Sequence, residues 1–185
     1  VHFKNLIFKH VSSVGALNKF PRQSAGTNPR WGVGWTPTPG MVVDSCVFYD
    51  IGGTIGDGNP CGLRYDGTEG CHVTNCYMQE IYLDSPLGAG KGYFMNLFVV
   101  SNALVENCTA YKLGSAIFFP KQQSCSADGL AHQIAELRYC YTENCTPLYG
   151  QNQNDYCPHG HFQIHHNMTV TKFGGPQARG VYQMQ

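Results

Sequence analysis

Apolar and polar residues alternate along this chain in short runs, and no stretch keeps the three-to-four residue spacing of an amphipathic helix. The same short pattern returns several times. It reads VDSCVFYDIG from residue 43, VTNCYMQEIY from 73, VENCTAYKLG from 105 and LRYCYTENCT from 137. Two weaker copies are IFKHVSSVGA from 7 and IHHNMTVTKFG from 164. The fourth position of these copies is His10, Cys46, Cys76, Cys108, Cys140 and Asn167, a period of roughly 30 residues. A second register runs between the copies: WGVGWT at 31, CGLRYD at 61, KGYFMN at 91, SAIFFP at 115, PLYGQN at 147 and RGVYQM at 179. These segments are aromatic and branched, as strands are. One period therefore predicts a strand, a turn, a second strand bending into a third, and a loop.

A strand-only period of this length excludes helical repeats and is short for a propeller blade. It suits a parallel β-solenoid, in which neighbouring repeats bury a shared interior. Composition agrees. With 22 Gly and 10 Pro the chain is rich in turns, and only 13% of its residues are charged. Twelve basic residues balance twelve acidic ones, so no basic surface argues for nucleic acid. No apolar run reaches the roughly 18 residues of a membrane span. The chain starts at Val1 rather than Met and ends within a repeat, so a piece of a longer chain, or a homo-oligomer joined through open solenoid ends, is expected.

The residues resemble a known family at this point. The V-x-N-C step, the apolar strand after it, a Gly-rich loop and a G-Φ-x-Φ strand are similar to the right-handed parallel β-helix of the pectin-lyase-like superfamily. That group includes polysaccharide lyases, polygalacturonase-like hydrolases and phage tailspikes. The resemblance spans about residue 5 to 185 as roughly six coils. It implies an all-β, single-domain solenoid. The segments at 31, 61, 92, 115, 147 and 179 would be the first strand of each coil, and Val42–Asp44, His72–Thr74, Leu104–Glu106, Glu136–Arg138 and Phe162–His165 would belong to the second. Ser45, Asn75 and Asn107 would sit in the bend that follows, where Asn tolerates a left-handed backbone and stacked amides hydrogen-bond along the axis. Tyr139 and His166 depart from that ladder. Cys46, Cys76, Cys108 and Cys140 would stack as a reduced inward column.

Other readings of the same residues are weaker. Nine cysteines is an odd number, and no CxxC pair supports a zinc knuckle. Cys125 and Cys157 lie in successive loops and are candidates for one disulfide. Asn107, Asn144 and Asn167 match the glycosylation sequon, but the repeat itself generates Asn before Cys and Thr. The histidines of PHGHFQIHHN, among them His159, His161 and His165, lack a supporting ligand at fixed spacing, so no metal site is assigned.

The superfamily's carbohydrate groove runs over the first-strand sheet. By alternation, Val33, Leu63, Tyr93, Ala116, Leu148 and Val181 would face inward there. Arg64, Phe94, Tyr149 and Tyr182, with Asp66, Asn96 and Gln151 two positions further on, would face outward. Aromatic rings suit the C–H faces of sugars, and amides and carboxylates suit their hydroxyls. The loop at 15 to 30 adds Lys19, Arg22 and Arg30 for an acidic sugar. Lyase chemistry needs the uronate carboxylate neutralised, by Arg or by calcium held on carboxylates, and a base. Arg64, Lys91, Tyr149 and His161 are candidates by type. Hydrolysis needs two carboxylates, and Asp66 with Asp57 or Asp84 is the best pairing. The polygalacturonase companion motifs are missing around Gly160-His161. Two function classes follow: a polysaccharide-binding, and on these residues polysaccharide-cleaving, domain, or a structural or adhesive module of a virion appendage or cell surface. Either places the protein outside the cell.

Overall fold

The computed structural model describes residues 1–11, 14–19, 38–53, 61–83, 93–113, 118–121, 134–143, 145, 149–150, 161–170 and 182–183. Every element among them is a β-strand, and every strand pairing is parallel. No helix is long and apolar enough to cross a membrane among the described residues.

The strands form three sheets, and the chain visits them in rotation. Sheet A contains His2–Lys4, Val42–Asp44, His72–Thr74, Ala103–Glu106, Ile134–Arg138 and His161–His165. Sheet B contains Ile7–Val11, Val47–Gly53, Tyr77–Leu83, Thr109–Tyr111, Tyr141–Glu143 and Met168–Val170. Sheet C contains Val14–Lys19, Cys61–Glu69, Tyr93–Ser101, Phe118–Lys121, Tyr149–Gly150 and Tyr182–Gln183, with Thr38–Pro39 alongside the second of these. One pass through A, B and C is called a rung below. Parallel pairing brings equivalent residues of successive rungs into register, so the sequence repeat becomes a set of columns.

The bend between sheets A and B explains the N-C step. Asn5, Ser45, Asn75, Asn107, Tyr139 and His166 each hold a left-handed backbone with φ between 52° and 56°. Asn107 Nδ2 donates to Asn75 Oδ1 at 2.8 Å, and Asn75 Nδ2 donates to Asp44 Oδ1 at 2.9 Å. The ladder therefore ends on Asp44 rather than on Ser45. Asp44 also accepts from Ser45 and Thr74 and pairs with Lys4 Nζ at 3.0 Å. The hydrogen bond from Asn75, then that from Lys4, holds its carboxyl well below the usual carboxylate range. Tyr139 and His166 leave the amide ladder, as expected, but keep its backbone.

The residue after each bend turns inward. Cys46, Cys76, Cys108 and Cys140 are buried and reduced. Each thiol donates to the carbonyl two residues before it, at 3.2 to 3.3 Å. Asn167 continues the column: its Oδ1 accepts from the Cys140 N–H and its Nδ2 donates to the Leu137 carbonyl, at 2.8 and 2.9 Å. Cys61, Cys71 and Cys145 are also buried and reduced. Cys125 and Cys157 lie outside the described residues.

Three sequence expectations need correction. The first copy is centred on Leu6, not His10, because Ile7 pairs with Val47 as Tyr77 does in the next rung. The chain reaches that bend four residues earlier than the weak IFKH match suggested. The first strand of sheet C is Val14–Lys19, inside the segment expected to be a loop, and it pairs with Cys61–Glu69. WGVGWT at 31 lies outside the described residues. In the third rung Tyr93 is level with Cys61, and Met95, not Tyr93, is level with Leu63.

A second left-handed column had no sequence signal. His10, Asp50, Glu80 and Lys112, within or just after the sheet B strands, have φ between 51° and 56°. None is Asn or Gly, and the conformation costs an ordinary L-residue on the order of 1–2 kcal/mol. The bend lets Ile51, Ile81 and Leu113 turn inward behind it, all buried in the core. Burying each is worth about 1.5–3 kcal/mol.

Candidate functional site

Sheet C is the face on which sequence reasoning placed a ligand. Leu63 is fully buried, and residues 64 and 66 are the positions that alternate with it along the Cys61–Glu69 strand. The register extends these positions into two rows. Leu17, Arg64, Asn96 and Phe119 are level in one. Lys19, Asp66, Phe98 and Lys121 are level in the other. Arg64, Asp66 and Asn96 thus fall in these two adjacent rows. Phe98 and Lys121 join them, which alternation in isolated segments had missed because the alignment of the strands was two residues out.

The other expected residues are distributed differently. Phe94 lies in the Tyr93–Ser101 strand of the same sheet. Tyr149 and Tyr182 pair with each other, and Tyr149 pairs with Phe118, which is level with Met95 and so with Leu63. By register they belong to the row of the buried Leu63, not to that of Arg64. His161 is in sheet A, opposite Ile134, and is not on the Arg64 face. Asp57, Asp84, Lys91, Gln151 and Arg30 lie outside the described residues, as do His159 and Asn144. Of the carboxylates expected to pair for hydrolysis, only Asp66 is among the described residues.

The outer face of sheet A carries an ionic network that no sequence motif connects. Arg138 bonds Glu106 at 3.1 Å and Glu136 at 2.8 Å. Glu136 also meets His165 Nε2 at 3.0 Å, and His165 Nδ1 lies 2.6 Å from His166 Nδ1. Burial raises the Glu136 pKa, but the bonds from His165 and Arg138 outweigh it and the net shift is downward. Arg138 is occupied by two carboxylates and is ill placed to neutralise a third. Among the described residues no group of three or more His, Cys, Asp or Glu side chains is arranged to hold a metal ion.

Three of the described thiols, Cys71, Cys108 and Cys145, are poor nucleophiles. Burial pushes Cys71 far above the ordinary thiol value and Cys145 up to about 11. Contacts with Cys140 and Cys76, reinforced by burial, raise Cys108. A thiolate is the reactive form, so these cysteines act as packing.

Against known proteins, no family model, no curated protein and no solved structure matches the chain.

Proposed function

We propose that this chain is a right-handed parallel β-helix of the pectin-lyase-like type that binds an acidic polysaccharide along sheet C. The observation that carries the reading is the pair of adjacent rows, Arg64–Asn96–Phe119 and Lys19–Asp66–Phe98–Lys121. Each crosses successive strands at about 4.8 Å per step, a spacing suited to an extended sugar chain lying along the stack. Three cations against one carboxylate favour a uronate chain. The two Phe positions supply apolar surface for ring C–H faces, and Asn96 supplies an amide for hydroxyls. Arg64 is the residue assigned to the sugar carboxylate, where its planar fork gives bidentate contact. Such a ligand belongs outside the cell, at a cell surface or on a virion.

Calorimetric titration with hexagalacturonate and hexaguluronate tests this reading. Arg64→Ala should weaken binding about tenfold or more, with the circular dichroism spectrum unchanged. Affinity for neither oligosaccharide, or affinity indifferent to Arg64→Ala and Asn96→Ala, would sink it. The same mixtures report chemistry: new absorbance from an unsaturated product marks a lyase, reducing ends without it mark a hydrolase, and neither marks a binding or adhesive module.

A further inference from the structure

Two rows on the outer face of sheet B carry tyrosines in four successive rungs, alternating between the rows. In the first row the order is Ile7, Val47, Tyr77, Thr109, Tyr141, Met168. In the second it is Lys9, Tyr49, Gln79, Tyr111, Glu143, Val170. Tyr49 and Tyr111 thus share a row two rungs apart, and so do Tyr77 and Tyr141. The parallel strand spacing sets each same-row pair about 9.5 Å apart.

These rings are exposed yet held. Tyr49 is 36% and Tyr77 38% exposed, and Tyr111 and Tyr141 are half-buried. Tyr77 Oη donates to Gln79 Oε1 at 2.8 Å, across the rows of its own rung. Tyr141 Oη donates to Glu143 Oε2 at 3.1 Å in the same way. Tyr49 is hydrogen-bonded to Glu80, which also accepts from Gln79 Nε2 at 3.2 Å. Lys112 Nζ sits over the Tyr111 ring, 5.2 Å from its centroid. Tethered rings lose little freedom when something lies on them.

We infer that sheet B is a second carbohydrate platform, for a neutral, extended β-linked glycan running along the stack. Successive sugars in such a chain turn over, so that every second ring presents the same face. A zigzag of tyrosines repeating every second rung matches that alternation, and the Gln79 and Glu143 side chains lie beside the rings for hydroxyl contacts. Charge selects the class. Lys112 pairs with Glu80 at 3.7 Å and His10 with Asp50 at 2.7 Å, leaving Lys9 and Glu143 of opposite sign in the rows. The face has no cationic excess for a uronate, in contrast to the rows on sheet C.

Titration of the intact chain with cellohexaose and xylohexaose tests the assignment. At least one should bind. Tyr77→Ala with Tyr141→Ala should weaken it about tenfold or more, while Tyr77→Phe with Tyr141→Phe, which keeps the rings, should hold affinity within about threefold. Arg64→Ala should leave neutral-glycan binding unchanged, so failure of the sheet C reading is read separately. No binding of either hexasaccharide, or binding indifferent to the double Ala variant, overturns the assignment. So does sedimentation showing a concentration-dependent dimer that the double Ala variant abolishes, which would give the face to a second copy of the chain.

Discussion

The interior of the first rungs and the interior of the last solve the same packing problem in opposite ways. Along sheet B the inward row reads Phe8, Phe48, Met78, Ala110, Thr142, Thr169. It begins with two stacked rings, 4.8 Å apart and 4° from parallel, and ends in a hydroxyl pair, Thr142 Oγ1 donating to Thr169 Oγ1 at 2.9 Å. Sheet A does not follow it: its inward row reads Phe3, Val43, Val73, Val105, Leu137, Ile164, narrowing in the middle rungs and widening again. A close-packed interior can share its volume differently from rung to rung as long as it is filled. The repeat preserves which positions point inward, and leaves free how the volume is shared among them.

The sheet B row can be broken at either end, and the two ends should not respond alike. Phe48 is fully buried, and Phe48→Ala removes a ring stacked on Phe8. The expected loss in urea unfolding is about 3–5 kcal/mol. Thr142, equally buried, fills less space, and Thr142→Ala removes one hydrogen bond and a methyl group. About 1–2 kcal/mol is expected. Equal losses would show that the aromatic end is no more dependent on its large side chains than the hydroxylic end.

A smaller contrast separates two glycines one rung apart. A Cβ at Gly40 would lie 2.6 Å from Cys71 N and 2.7 Å from Cys71 Cα, so backbone must move. At Gly70 a Cβ meets nothing, but φ is +73°. Gly40→Ala should cost about 1–3 kcal/mol through overpacking. Gly70→Ala should cost about 1 kcal/mol through backbone strain alone. Gly70→Asn should be milder still, since Asn102 holds the corresponding left-handed position before Ala103 in the next rung. A Gly70→Asn loss as large as that of Gly40→Ala would refute the division.

How much of this was legible beforehand follows from what each feature leaves in a sequence. The inward cysteines and the bend asparagines recur in nearly fixed context, so the column of Cys46, Cys76, Cys108 and Cys140 could be read directly. The first rung was misaligned because Leu6 stands where the others have cysteine, and an exposed polar His10 matched a weak consensus instead. The sheet C strands were aligned by their own glycines and aromatics, and the residues the register sets level, Leu63, Met95 and Phe118, share no common motif, so the alignment slipped and carried Tyr149 and Tyr182 to another row. The tyrosines of sheet B were in view within each of the four stronger copies. Their alternation between two rows emerges only once neighbouring rungs are set side by side. The ionic network around Arg138 joins residues about 30 positions apart, and composition carries no trace of it.

The buried thiols give a pH-dependent test. Cys71 and Cys145 have pKa values raised by burial, Cys145 to about 11. The unfolded chain ionises these groups first, near the ordinary thiol value, while the folded chain keeps its protons. Both contributions are therefore whole below about pH 9; that of Cys145 is lost as pH rises toward 11, and that of Cys71 goes on falling above it. For Cys145 the loss is bounded at about 2–3 kcal/mol. Thermal unfolding of Cys145→Ala should fall less steeply across this window than that of the parent chain. Parallel slopes would show that Cys145 ionises alike in both states.

The bend column yields the smallest effect and the sharpest comparison. Asn75 holds the left-handed backbone and joins Asn107 to Asp44, whereas Tyr139 holds the same φ with no amide to link. Glycine accepts this conformation freely, so substitution separates backbone strain from side-chain bonding. Asn75→Gly should lose about 1–2 kcal/mol, because two ladder bonds go and Asp44 loses its strongest donor. Tyr139→Gly relieves a strained φ of 53° but gives up a ring stacked on His166 at 5.2 Å. The two terms are each about 1 kcal/mol and opposed, so its stability should stay within about 1 kcal/mol of the parent. If Tyr139→Gly instead destabilises as much as Asn75→Gly, the aromatic end of the column is held as firmly by its rings as the amide end is by its ladder, and the bend needs no asparagine at all.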